Sequence, residues 1–220
     1  MKRQILTLAL FIIFGIAISF TSCKDASAPV ITITGGITQS QTLPSTAGAG
    51  TWTNPIATAT DDVDGNVSST VTVTGTVDPN TAGTYTLTYS VTDKAGNTGT
   101  EIVTVTIYNS ADIIEGTYNN CHDSCQVSPA VNYIAIITAS NTVNGEFVVN
   151  NFGGFGTGTN VNASLSGTTI IVPSNQPVGG TASIVSASGT IISTSPDILS
   201  FTYNWTDGIA SETCSSVCQQ

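Results

Sequence analysis

Two cysteine pairs of equal spacing, Cys121 with Cys125 and Cys214 with Cys218, are the groups of this chain best suited to chemistry, and the first pair flanks the only histidine, His122. Such thiols can hold structural zinc with an imidazole as a further ligand, exchange electrons as a redox pair, or close as disulfides. The compartment decides among these. Lys2 and Arg3 precede an apolar run from Ile5 to Phe20, followed by small polar residues, so residues 1–22 read as a cleaved secretory signal. The run covers 16 positions, short of the ~20 a spanning helix needs. Exported thiols are normally oxidised, so disulfides are expected rather than zinc or a redox pair, with His122 as a solvated loop residue.

The fifth cysteine, Cys23, has a different role. Phe20-Thr21-Ser22-Cys23 resembles the lipobox of bacterial lipoproteins, with Phe20 in place of the usual Leu. The resemblance implies a diacylglycerol on Cys23, cleavage in front of it, and the membrane as a partner through the lipid anchor. Each buried methylene of such a chain contributes about 0.8 kcal/mol. Lys24-Asp25 is similar to the charged tag of Gram-negative lipoproteins that reach the outer membrane and face the cell exterior.

Other polar groups are scarcer. Asp61, Asp62 and Asp64, with Asn66, suggest a calcium loop, but with Gly65 at its sixth place the first and twelfth positions are Thr60 and Val71, which lack the needed carboxylates. The expectation is an Asx-turn in solvent and no metal. Those three aspartates remain where calcium would go, with Asp93 able to complete a site. Glu115, Glu146 and Glu212 could supply the paired carboxylates of a glycan-active enzyme, but nothing in the sequence fixes their separation. The glycine-rich stretch Asn150–Asn160 lacks the lysine and the strand-to-helix context of a phosphate loop and reads as a flexible loop. Phe201, Tyr203 and Trp205 share one parity and read as core rather than a sugar platform. Without residues 1–22 only Lys24 and Lys94 stand against all 14 acidic residues, a net charge of −12. That excludes nucleic acid as a partner, and no cofactor is indicated.

The elements that must position these groups are strands. Tyr85, Leu87, Tyr89 and Val91 alternate with threonine and serine, as do Val103, Val105 and Ile107, and Val71, Val73 and Val77. Turn signals at Asp64-Gly65-Asn66, Asp78-Pro79-Asn80 and Ala95-Gly96-Asn97 divide residues 29–109 into about seven strands of a β-sandwich. WTNPIATATDDVDGNV and GTVDPNTAGTYTLTYSVTDKAGNTGTEIVTVTI are similar to bacterial Ig-like domains of the crystal-toxin and hyalin-repeat type. That resemblance implies an extracellular spacer or adhesion module without catalysis.

After a joint at Asn109–Asp112, residues 110–220 show about eight strands, with tight turns at Asn144-Gly145, Ser166-Gly167 and Ser188-Gly189. An antiparallel meander closed into a barrel is expected. GTYNN, NNFGGFG, LSGTTIIVPSNQPVGG and ASGTIISTSPDILSFTYNW resemble a calycin-like C-terminal domain of surface lipoproteins with no agreed activity. Closure would lay the two cysteine segments antiparallel and pair Cys121 with Cys218 and Cys125 with Cys214; crossed and local bridges are the alternatives. The fold class expected is thus all-β: a cleaved lipoprotein signal, a tether at 23–28, an Ig-like sandwich and a stapled barrel. The function expected is non-enzymatic, a lipid-anchored surface protein presenting a ligand-binding β domain to extracellular polysaccharide or another surface protein. A structural envelope spacer or a glycan-active enzyme are the alternatives.

Overall fold

The computed structural model describes residues 24–195 and 197–220. The leader and Cys23, with its expected lipid, lie outside the described residues.

The first region holds seven strands: β1 (Val30–Ile33), β2 (Thr38–Thr42), β3 (Ala57–Asp61), β4 (Gly65–Asn66), β5 (Thr72–Thr74), β6 (Gly83–Thr92) and β7 (Thr98–Tyr108). They form two sheets, ordered β1-β3-β4 and β2-β7-β6-β5. The alternation read in β6 and β7 is the burial pattern: Leu87, Tyr89, Val91, Val103, Val105 and Ile107 are all buried, while their threonine neighbours face outward. β5 departs from the expectation that Val71, Val73 and Val77 line one buried face. Gly75, with φ +99°, ends the strand against β6, where a Cβ would lie 2.3 Å from the Thr86 carbonyl oxygen. This short edge strand leaves Val73 exposed.

The second region holds β8 (Gly116–Cys125), β9 (Val131–Ala139), β10 (Glu146–Asn150), β11 (Asn160–Ser166), β12 (Thr169–Val172), β13 (Gln176–Gly179), β14 (Ala182–Thr194), β15 (Asp197–Thr206) and β16 (Ser211–Gln219). They follow one another antiparallel from β8 to β12, and β8 also pairs with β16, β16 with β15 and β15 with β14. Pairing of β12 with β14 closes eight of these strands into a barrel. Two expectations are corrected here. Ser188-Gly189 is not a hairpin turn but the middle of β14, one long strand that pairs first with β13 and then with β12. Gly189 is there for close approach, since a Cβ would come 2.7 Å from the Phe201 ring. The last strand is β16, which carries Cys214 and Cys218 and which the eight expected strands omitted.

The joint is tightly bonded. Asn109 is fully buried, and its Nδ2 donates to the carbonyls of Ser140, Val143 and Glu146 at 2.8, 3.1 and 2.9 Å. Its Oδ1 accepts from Ala111 N–H and Gly145 N–H. Across the same joint Ala82 N–H donates to the Asn141 carbonyl and Asn144 N–H to the Pro44 carbonyl, each at 2.8 Å.

Candidate functional site

The site grows from the seam between β8 and β16. Their register sets Cys121 opposite Cys218, Asp123 opposite Ser216 and Cys125 opposite Cys214. Because strand side chains alternate, residues 121, 123 and 125 point into the barrel and His122 points out. Cys121 is bonded to Cys218 and Cys125 to Cys214, with Cα separations of 3.9 and 4.1 Å. Sulfurs joined in this way are not thiolate ligands, so the grouping of Asp123, Cys125 and Cys214 is no zinc set. The exposed His122 ring meets Asn132 Oδ1 through Nδ1 at 2.8 Å.

Between the two bridges the barrel interior is polar. Asp123 is 3% exposed, and its Oδ2 accepts from the Tyr203 hydroxyl at 2.8 Å. Its Oδ1 is buried without a partner among the described residues. Burial raises its pKa above the ordinary carboxylate range, against the opposing effects of the Tyr203 hydrogen bond and the nearby His122. Burial likewise pushes the Tyr133 phenol up to about 12 and the Tyr203 phenol up as well, so both stay protonated at neutral pH. Tyr133 shares a 2.5 Å hydrogen bond with Ser216.

The Asn150–Asn160 stretch, expected to be a flexible loop, is instead a plug that closes over this floor. Asn151, with φ +58°, turns the chain into a 3-10 turn at Phe152–Gly154. Phe152 is 1% exposed and packs edge-on against Phe201 and Tyr203, with ring centroids at 5.3 and 4.9 Å. Phe155 meets Trp205 at 5.5 Å. Gly153 has φ +62° and lies so close to Tyr203 that a Cβ would come 2.4 Å from its hydroxyl, so no other residue fits. Two phenylalanines flanking two glycines were the available signal, since a solvated loop has no need of such rings.

What remains open beside the plug is a cavity of about 180 Å³. Asp123 and Tyr203 line it with Phe155 and Trp205, and Ser128 and Pro129 come from the loop after β8. That loop is held by Glu212, whose Oε1 accepts from the N–H groups of Val127 and Ser128 and whose Oε2 accepts from the Ser128 hydroxyl at 2.6 Å. The Ser128 bonds lower the Glu212 pKa, so this clamp is ionised at neutral pH. Phe201 and Tyr203 are core, as their parity suggested, while Trp205 is a cavity wall.

Glu212 does not converge with the other two glutamates. Glu212 sits at the Cys125 end of β8 and Glu115 just before its Gly116 end; ten strand residues at about 3.3 Å each separate them by roughly 30 Å. That is far beyond the roughly 5–9.5 Å of a glycosidase pair. Glu146 opens β10 at the joint end, beside a wider cleft of about 570 Å³ in which it is the only charged group. In the first region Asp64 is drawn to Lys94, whose Nζ lies 2.9 Å from its Oδ1. Asp61 and Asp62 instead lie with Asp25, a residue that the sequence did not place there.

Residues 37–107 match the family model of the bacterial surface protein Ig-like domain. No curated protein matches the chain. Among solved structures, the lipoprotein BT2262 from Bacteroides thetaiotaomicron is 18% identical, over 87% of this chain and 100% of that one, with a TM-score of 0.40. A structure of CBM51-2 in complex with GlcNAc and INT domains from Clostridium perfringens ZmpB is 15% identical, over 87% of this chain and 44% of that one, with a TM-score of 0.28. The chain is thus an all-β protein in which a bacterial surface Ig-like domain precedes a closed eight-stranded barrel.

Proposed function

We propose that this is a non-enzymatic cell-surface protein, anchored to the outer membrane through lipid on Cys23 and facing the exterior, whose barrel binds a saccharide in the cavity beside the Phe152 plug. The observation that carries the reading is the cavity itself. Trp205 and Phe155 offer ring faces for the C–H face of a sugar, and Asp123, the one charged residue of the lining, offers a polar group beside them. At about 180 Å³ it is smaller than the roughly 300–1,000 Å³ of drug-sized pockets, so it takes a single ring, the end of a polysaccharide rather than an internal stretch. The Ig-like domain acts as the spacer, and the bonded joint at Asn109 holds the barrel in a fixed attitude to it.

A glycan array probed with the soluble chain tests this. Binding to terminal sugars that is lost in Trp205→Ala supports the reading. Equal binding by that variant, or none by the wild type on a broad array, removes it in favour of a spacer without ligand, and release of reducing ends from the bound glycan would show an enzyme.

A further inference from the structure

At the end of the Ig-like domain away from the barrel, the chain enters the fold through Asp25–Ser27. Ser27 Oγ donates to Asp62 Oδ2 at 3.2 Å, and Asn97 Nδ2 donates to the Asp25 carbonyl at 3.1 Å. The entering segment is thereby fastened to the β3–β4 turn and to the β6–β7 hairpin. This gathers the carboxylates of Asp25, Asp61 and Asp62, with one oxygen of each within 4.8 Å of the others. Among the described residues no salt bridge reaches them: Lys94, in the neighbouring hairpin, is engaged with Asp64.

The decisive group is Asp61. It is 8% exposed, and its Oδ1 is satisfied by the N–H groups of Val63 and Asp64 at 3.0 and 2.8 Å. Its Oδ2 is buried with no partner among the described residues, and so is Oδ2 of Asp25. Two solvent-shielded carboxylate oxygens left bare next to a third carboxylate are costly unless something positive sits between them. The Ser27 N–H pulls the Asp25 pKa down, but burial and the charges of Asp61, Asp62 and Asp93 outweigh it and leave it raised. Asp93 is a neighbour rather than a ligand, because Asn97 satisfies both of its oxygens.

We propose that Asp25, Asp61 and Asp62 bind one calcium ion at the point where the chain enters the Ig-like domain. The donors are hard oxygens, which select calcium or magnesium over softer metals. A calcium ion with ligands at about 2.3–2.6 Å bridges oxygens as much as about 5 Å apart, and it tolerates irregular geometry, whereas magnesium demands a tight octahedron. The chain's own loop, read alone, lacks the decisive ligands; the missing one comes from 36 positions upstream of Asp61, in the entering segment. The ion locks Asp25 to the domain. With Cys23 anchored as proposed above, only Lys24 would then separate the lipidated residue from the fixed one.

The test uses the soluble chain from Ser22 onward with Cys23→Ser, both domains present, titrated with calcium chloride and read by calorimetry and by melting of the Ig-like domain. One calcium per chain is expected, with a dissociation constant of about 10⁻⁴–10⁻³ M, as in extracellular modules. A rise of roughly 6–20 °C at 10 mM calcium should follow. Asp25→Asn and Asp61→Asn should each abolish both responses, and Asp64→Asn should keep them. In calcium-free buffer Asp61→Asn should melt no lower than the wild type, because its amide oxygen still accepts from Val63 and Asp64 while the repulsion is gone. Absence of calcium heat up to 10 mM, or an unchanged response in Asp25→Asn and Asp61→Asn, overturns the site. Neither result depends on lipid or sugar binding.

Discussion

The two cores of this molecule are built from different materials. The Ig-like core is Leu43, Leu87, Tyr89, Val91, Val103, Val105 and Ile107, without a disulfide, and the buried carboxylates of that domain, Asp61 and Asp93, sit at its far end. The barrel core mixes Phe147, Phe152 and Phe201 with two disulfides and with Asp123, Gln176, Glu212 and Ser216, all buried. The sandwich core itself is stabilised by buried apolar area. A barrel with polar groups inside gives up part of that stabilisation and needs staples, and what it gains is a polar cavity with a defined floor.

That contrast predicts an unequal response to reductant. Opening both bridges should lower the barrel's stability by about 5 kcal/mol, since the outer bridge alone closes a loop of roughly 100 residues, worth ~4.7 kcal/mol on the chain-entropy estimate. The inner bridge spans nearly the same loop and adds little. Melting with and without dithiothreitol should shift the barrel transition and leave the Ig-like one in place. A common shift of both would break the distinction.

Truncating the plug comes next. Phe152→Ala should cost the barrel about 3–4 kcal/mol, because the ring is fully enclosed by Phe201 and Tyr203 and its loss leaves a cavity. Urea unfolding measures it, and a cost below 1 kcal/mol would mean that the loop is free after all. Asn109→Ala should cost about 2 kcal/mol by leaving the Ser140 and Val143 carbonyls and the Ala111 and Gly145 amides at the joint unpaired. Its effect should fall on the barrel transition, which owns the Ser140–Glu146 loop.

The smallest effect is a pH dependence of opposite sign to the usual one. Asp123 has a folded pKa raised above its unfolded value, so the folded state takes up its proton first as pH falls. Its destabilising charge is relieved as pH falls through the folded pKa. Above the ordinary carboxylate range the barrel should therefore gain stability as pH falls. Below that range Glu212, whose folded pKa is lowered, loses its clamp and the gain reverses. Asp123→Asn should flatten the rise, and thermal melts from pH 7 to pH 4 would show it.

The regular parts of this fold were legible because period-two alternation is written in Val, Ile and Tyr against Thr, as in β6 and β7. Equal spacing of the two cysteine pairs likewise carried the geometry of the seam. β16 was not legible, since its inward positions are Glu212, Cys214, Ser216 and Cys218, none of which marks a buried strand. β14 was read as two strands because Ser188-Gly189 has turn chemistry, while its glycine serves packing. Both functional candidates hid for a related reason. The cavity floor depends on contacts between residues about 80 positions apart, Asp123 with Tyr203, and Asp25 meets Asp61 only through the fold.

If the barrel's mixed interior binds a sugar end beside Trp205, as proposed, the indole there should sense it. The chain has two tryptophans, and Trp52 lies in the Ig-like domain. In Trp52→Phe the remaining indole reports on the cavity. Titrating that variant with the terminal sugar selected on the array should give a saturable change in tryptophan emission, weakened at least tenfold by Asp123→Asn. A glycan that binds the protein without altering Trp205 emission, or with the same affinity after Asp123→Asn, would contradict the account.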